Sequence, residues 1–149
     1  ASTPQSFSLS TLRSYSDSLP SDYTFKPMTE EIFQMVRAEE WSEDFSINYT
    51  DFEEFQKSAL GWFIFKGDLL VSGASSYSSY DDGIEITLAT RDCFRKMGFA
   101  TIVSSKLIQQ CIQQKKYPSW DAANIISVAT SKKLGYCNFS TYYCWEYKN

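Results

Sequence analysis

A chain of 149 residues with 43% apolar residues is sized for one compact domain around one core. Its formal net charge of −4 argues against nonspecific binding of nucleic acid. It contains no histidine, which excludes Ser-His and Cys-His catalysis and removes the commonest metal ligand, so proton transfer falls to Glu, Asp, Tyr, Lys, Cys, water or a terminus.

Residues 1–22 are rich in Ser and end at Leu19-Pro20-Ser21-Asp22, which reads as a linker arm, or as an edge strand through Phe7, Leu9 and Leu12. The remaining residues, 23–149, form the expected domain. Tyr23 to Met28 alternates aromatic and polar residues as a strand does, and Thr29-Glu30-Glu31 supplies a cap and an acidic first turn for a helix with Ile32, Phe33 and Val36 on one face. Thr50-x-x-Glu53 has capping-box spacing and announces a second helix through Phe52, Phe55 and Ala59, closed by Gly61.

Lys66-Gly67-Asp68 between two apolar runs, and Asp81-Asp82-Gly83 further on, mark the turns of three successive antiparallel strands. Phe99, Ile102, Val103, Leu107, Cys111 and Ile112 then recur at helical steps and predict the longest helix. Tyr117 to Asp121 predicts a short strand, Asn124 or Ser127 a cap for a helix ending at Leu134-Gly135, and Tyr136 to Tyr147 an aromatic last strand. The class is mixed, α+β, with no internal repeat.

Cys93, Cys111, Cys137 and Cys144 show no C-x-x-C spacing and read as reduced thiols. No apolar run reaches membrane-spanning length and no signal pattern opens the chain, so a soluble, cytoplasmic protein is expected.

The segment that bears chemistry runs from Glu85 to Ala100. A strand enters a basic turn containing Arg95, Lys96 and Gly98, and the turn opens the long helix. Free N–H groups and the positive end of the helix dipole suit a bound phosphate there, and Gly98 allows close approach or an unusual dihedral. The turn lacks the G-K-[ST] ending of a P-loop and the glycines of a Rossmann turn. Strand alternation places Glu85, Thr87 and Ala89 on one face and Ile84, Ile86 and Leu88 on the other.

Arg95-x-x-Gly98-x-Ala100, between a strand and a long helix, resembles the acetyl-CoA signature of the GNAT acetyltransferase superfamily. Tyr117-Pro118-Ser119-Trp120-Asp121-Ala122-Ala123-Asn124, then Ser127 and Lys133-Leu134-Gly135-Tyr136, is similar to the zwittermicin-resistance-type branch, whose members are often longer at the N-terminus. The resemblance covers about residues 23 to 147. It implies a central, mostly antiparallel twisted sheet with helices on both faces and a splayed strand pair at the cofactor cleft.

It further implies that acetyl-CoA is the acetyl donor and that the acceptor is an amine of a small molecule. The main chain from Arg95 through Lys96, Met97, Gly98, Phe99 and Ala100 to Thr101 would hold the pyrophosphate, and Leu88, Ala89 and Thr90 would bond pantetheine as an added strand does. Asn124 and Ser127 match positions beside the pantetheine and acetyl groups, with helix capping as the structural alternative. Glu85 matches a position often occupied by a base, with Asp121 as the other candidate. Many relatives carry a Tyr seven residues after the Asn to protonate the leaving thiolate, but this chain has Ser131, which leaves Tyr136 or solvent. Trp41, Asp44 and Tyr49 fall in the region lining the acceptor pocket of similar proteins, and Trp120 adjoins Asp121, although aromatics at helical spacing also serve as core. The protein would be a monomer or homodimer, and the competing reading is a CoA-binding module without turnover.

Overall fold

A computed structural model describes residues 7–120 and Leu134. The first element is a helix, α1 (Leu9–Asp17), rather than an edge strand. Ser8 caps it by accepting from Thr11 N–H at 3.3 Å, and the four-residue step from Leu12 to Ser16 forms its buried face while Leu9 is exposed. Gln109 fastens α1 to the later helix by donating to Leu12 O at 3.2 Å and to Ser16 Oγ at 2.9 Å.

β1 (Tyr23–Pro27) leads through the Thr29 cap into α2 (Glu30–Val36), where Ile32 N–H donates to Thr29 Oγ1 at 3.2 Å. A 3₁₀ turn, Glu43–Phe45, follows. Arg37 ties it back to α2 by donating to Ser46 O at 2.9 Å, to Ser46 Oγ at 3.2 Å and to Tyr49 O. In α3 (Phe52–Ser58) the cap is Asp51, one residue later than the Thr50 reading. Glu54 N–H donates to Asp51 Oδ1 at 2.9 Å, while the Glu54 carboxylate reaches back to Thr50 N–H at 2.6 Å. Aspartate outcompetes threonine because its charged acceptor also meets the helix dipole. Gly61 does not close α3, whose chain is already extended at Ala59, but opens the next strand.

β2 (Gly61–Lys66), β3 (Leu69–Tyr80) and β4 (Gly83–Thr90) form a meander across the two anticipated turns. α4 (Phe99–Gln113) crosses over to β5 (Tyr117–Trp120), and the sheet order is β1-β2-β3-β4-β5. All neighbours are antiparallel except β4 and β5, whose parallel register runs from Gly83↔Tyr117 to Ile86↔Trp120. Among the described residues that pairing ends at Ile86↔Trp120, and β4 continues through Thr90 to an end that lies beside the start of α4.

The sheet has a core on each face. Ile64, Ala74, Ile84 and Ile86 pack under α1 and α4 with Val103, Leu107 and Ile108. Phe63, Phe65 and Leu70 pack under α2 and the 3₁₀ turn with Ile32, Val36 and Phe45. Gly73 makes this second core possible, since a Cβ there would lie 2.5 Å from Phe63 Cδ1. Among the described residues, no helix is long and apolar enough to cross a membrane.

Cys93 is exposed and Cys111 is buried, and neither is in a disulfide. Loss of solvation pushes the Cys111 thiol up to about 12 from an ordinary 9.0, against a smaller lowering by Lys116. The thiolate is the reactive form, so in native protein at pH 8 iodoacetamide should modify Cys93 and spare Cys111 until urea unfolds the chain. Peptide mass mapping reads this out, and rapid native alkylation of Cys111 would contradict its burial. The raised value also fixes a sign. This contribution to stability is complete below about pH 9 and is lost as the pH rises toward 12, because only the unfolded chain releases that proton in the interval.

Candidate functional site

β4 delivers the chain to a turn that holds two left-handed residues. Asp92–Phe94 make a 3₁₀ turn, Lys96 has φ 66°, and Gly98, the N-cap of α4, has φ 86°. Gly98 is required by its dihedral rather than by crowding, since a Cβ there would meet nothing within 4 Å. The first helical bond of α4 runs from Ile102 N–H to Gly98 O at 3.2 Å, so the preceding amides lack intrahelical acceptors.

A cleft of about 470 Å³ lies where this turn meets the C-terminal end of β4. Leu88, Ala89 and Thr90 line it from the strand, and Arg95, Lys96, Gly98, Phe99, Ala100 and Thr101 line it from the turn and helix. Met97 is not in its wall, and its side chain is exposed. Phe94 joins the wall, a residue the sequence reading passed over although it stands directly before Arg95. Its ring packs edge-on against Tyr23 at 6.4 Å and lies the same distance from Phe99, so it carries the turn on the core. Arg95 and Lys96 are exposed. Arg95 Nε donates to Thr90 O at 3.4 Å and lies 3.3 Å from Asp92 Oδ1. Two exposed cations and the amides of a helix N-terminus favour an anion in this cleft.

Glu85 lies at mid-strand on the face away from α4, with Thr87 and Ala89, while Ile84 and Ile86 are buried beneath α4. The side chain is half-buried, and Ser78 Oγ donates to its Oε1 at 2.8 Å. Its register partners are Ser78 on β3 and Ser119 on β5. Ser119 Oγ donates to Ile84 O at 2.9 Å and lies 3.4 Å from the Tyr80 hydroxyl. Glu85 thus sits in a row of hydroxyls, with one carboxylate oxygen oriented by Ser78.

The aromatic candidates are not gathered around it. Trp41 stacks under the Arg91 guanidinium at 5.0 Å and against Phe45, beyond the C-terminal end of β4. Tyr49 packs on Phe55 near the opposite end of the hairpin, with its hydroxyl 3.3 Å from Ser79 Oγ. Burial raises the Tyr49 phenol, the Ser79 hydrogen bond lowers it and Glu54 raises it further. Asp44 is exposed on the 3₁₀ turn. Trp120 ends β5 and packs against the core beneath α4. Asp121, Asn124, Ser127, Ser131 and Tyr136 lie outside the described residues. Among the described residues, no group of three His, Cys, Asp or Glu is placed to hold a metal ion.

A family model described as GNAT acetyltransferase matches residues 1–145. The chain is similar to an uncharacterized N-acetyltransferase of Bacillus subtilis (strain 168), YdfB, at 28% identity over 91 residues, which are 60% of this chain and 35% of that protein. It is also similar to the crystal structure of a GCN5-related N-acetyltransferase-like protein from Streptococcus suis 89/1591, with a TM-score of 0.84 and 38% identity over 91% of this chain and 55% of that one. A GCN5-related N-acetyltransferase from Kribbella flavida shares the fold at a TM-score of 0.59 and 17% identity, over 79% of this chain and 47% of that one. The chain therefore spans about half the length of these solved relatives and about a third of the curated one.

Proposed function

The chain belongs to the GNAT acetyltransferase family, and on that premise we propose that it transfers an acetyl group from acetyl-CoA directly to a primary amine of a small molecule. The observation that carries this reading is the cleft of about 470 Å³ between the C-terminal end of β4 and the basic turn opening α4. Its residues fit the donor. The amides preceding Ile102, together with Arg95 and Lys96, suit a pyrophosphate. The backbone of Leu88, Ala89 and Thr90 in the cleft wall suits the amide groups of a pantetheine chain. When bound, acetyl-CoA supplies an activated thioester.

The work left to the side chains is proton transfer. An alkyl amine with pKa near 10 is almost fully protonated at pH 7, and reaching its free base costs about 4 kcal/mol. Glu85 can take that proton directly or through one water, with Ser78 fixing Oε1 and the other oxygen left to face the acceptor. Asp121 is the second candidate for this role. Asn124 and Ser127 are assigned to the donor side, Tyr136 or solvent to reprotonation of the thiolate, and Trp41, Asp44, Tyr49 and Trp120 to acceptor contacts. On this reading the protein is a cytoplasmic enzyme acting as a monomer or homodimer.

The presence of Ser131 in the place of a family tyrosine favours a second reading, a CoA-binding module without turnover. Release of CoA thiol from acetyl-CoA across a panel of primary amines, with the product identified by mass, separates the two. Amine-dependent release supports catalysis; CoA binding with no release on any amine supports the module.

A further inference from the structure

The turn that walls the cleft is held to the rest of the domain at two posts. One is the aromatic contact of Phe94 and Phe99 with Tyr23. The other is Arg91, the residue that follows Thr90 and precedes the 3₁₀ turn. Its N–H donates to Val71 O at 2.8 Å, its Nε donates to Leu70 O at 2.8 Å, and its carbonyl accepts from Phe94 N–H at 2.9 Å. The guanidinium then reaches Glu39, with Nη1 at 3.4 Å from Oε1 and Nη2 at 3.3 Å from Oε2, and lies over the Trp41 ring. Trp41 Nε1 donates to the same Glu39 carboxylate at 3.2 Å. Arg91 does not line the cleft.

We propose that Arg91 is a positioning residue for the cofactor turn: clamped between Glu39, Trp41 and the Leu70 carbonyl, it fixes where β4 ends and the turn begins. The proposal rests on reading the cleft as a CoA site. Its physical basis is entropic. The turn contains two left-handed residues and is exposed at Arg95, Lys96 and Met97, so its amides converge on a phosphate only if both ends are held, and a loosened end raises the ordering cost of binding. The clamp also joins the cofactor turn to the segment between α2 and α3, so it binds two sides of the domain through one planar cation. Lysine cannot replace it, because an ammonium lacks the fork that engages a carboxylate and a carbonyl together.

Glu39→Gln separates positioning from simple charge. Glutamine keeps an acceptor for Trp41 and removes the ion pair, while Arg91 retains its positive charge near the turn. If Arg91 acted only through its charge, losing Glu39 would strengthen the binding of anionic CoA; if Arg91 positions the turn, binding weakens. CoA is titrated by calorimetry into the intact protein, Glu39→Gln and Arg91→Ala, with thermal midpoints measured alongside. The expected dissociation constants are about threefold to fivefold higher for Glu39→Gln and about tenfold higher for Arg91→Ala, the scale set by loss of an exposed ion pair and of the whole clamp. The Glu39→Gln midpoint is expected to stay close to that of the intact protein. Unchanged or tighter CoA binding by Glu39→Gln overturns the positioning role while the CoA reading stands. Absence of CoA binding by the intact protein overturns both. Should Arg91→Ala fail to fold, the Glu39→Gln comparison alone decides.

Discussion

Glu85→Gln is expected to lower kcat for amine acetylation by about a hundredfold or more at pH 7, within the range a positioned base supplies. The substitution preserves an oxygen that can accept from Ser78 Oγ, so the 2.8 Å contact and the strand register need not change. What is lost is the ability to take a proton from the acceptor. The deficit should therefore shrink as the pH rises toward 10, where the amine deprotonates without help. A pH profile of kcat/KM for both proteins tests this. A Glu85→Gln enzyme with undiminished rate at pH 7 transfers the role to Asp121. Ser78→Ala, which removes only the orienting donor, is expected to cost a few-fold, roughly the worth of one hydrogen bond.

Phe63→Ala is expected to destabilise the domain by about 3–5 kcal/mol, the usual cost of truncating a buried aromatic ring. Phe63 is fully buried and meets Phe45 edge-on at 5.3 Å between centroids, beneath α2 and the 3₁₀ turn. Gly73→Ala should cost about 1–3 kcal/mol in the intact core, because its Cβ would sit 2.5 Å from Phe63 Cδ1 and 2.9 Å from Phe45 Cζ. The two changes should not add. Removing the Phe63 ring removes the nearest obstacle, so the double variant is expected to be more stable than the sum of the single losses predicts. Urea unfolding of all four proteins measures the coupling. Additive losses would mean that the ring does not occupy the space above Gly73.

The elements legible in the sequence were those with local signals. Thr29 capped α2, Gly67 with Asp68 and the Asp81-Asp82 turn spaced the meander, and the steps from Phe99 to Cys111 gave the longest helix. Misreadings occurred where two local signals competed. Thr50 and Asp51 both suited a cap, and the carboxylate prevailed. Phe7, Leu9 and Leu12 read as part of an arm or an edge strand, and the helix α1 is instead fastened to α4 through Gln109, 97 residues from Leu12 and 93 from Ser16. In the candidate site, the basic turn and Gly98 were visible because backbone chemistry depends on order along the chain. The Arg91–Glu39–Trp41 clamp was not, since its members are up to 52 residues apart and none carries a motif. Nor could spacing show that Trp41 and Tyr49 lie toward opposite ends of the β3–β4 hairpin rather than in one pocket.

The cleft at the end of β4 carries the acetyl-CoA assignment, and its most direct test is calorimetric titration of acetyl-CoA into the intact protein and a Gly98→Trp variant. Gly98 holds φ 86°, where a side chain adds strain of about 1–2 kcal/mol, and an indole there would disturb the turn and intrude on the proposed phosphate position. The expected result is saturable binding by the intact protein, weakened at least about tenfold in the variant, consistent with lost anion contacts and a strained turn. No binding by the intact protein, or equal binding by both, would contradict the assignment of this cleft to acetyl-CoA.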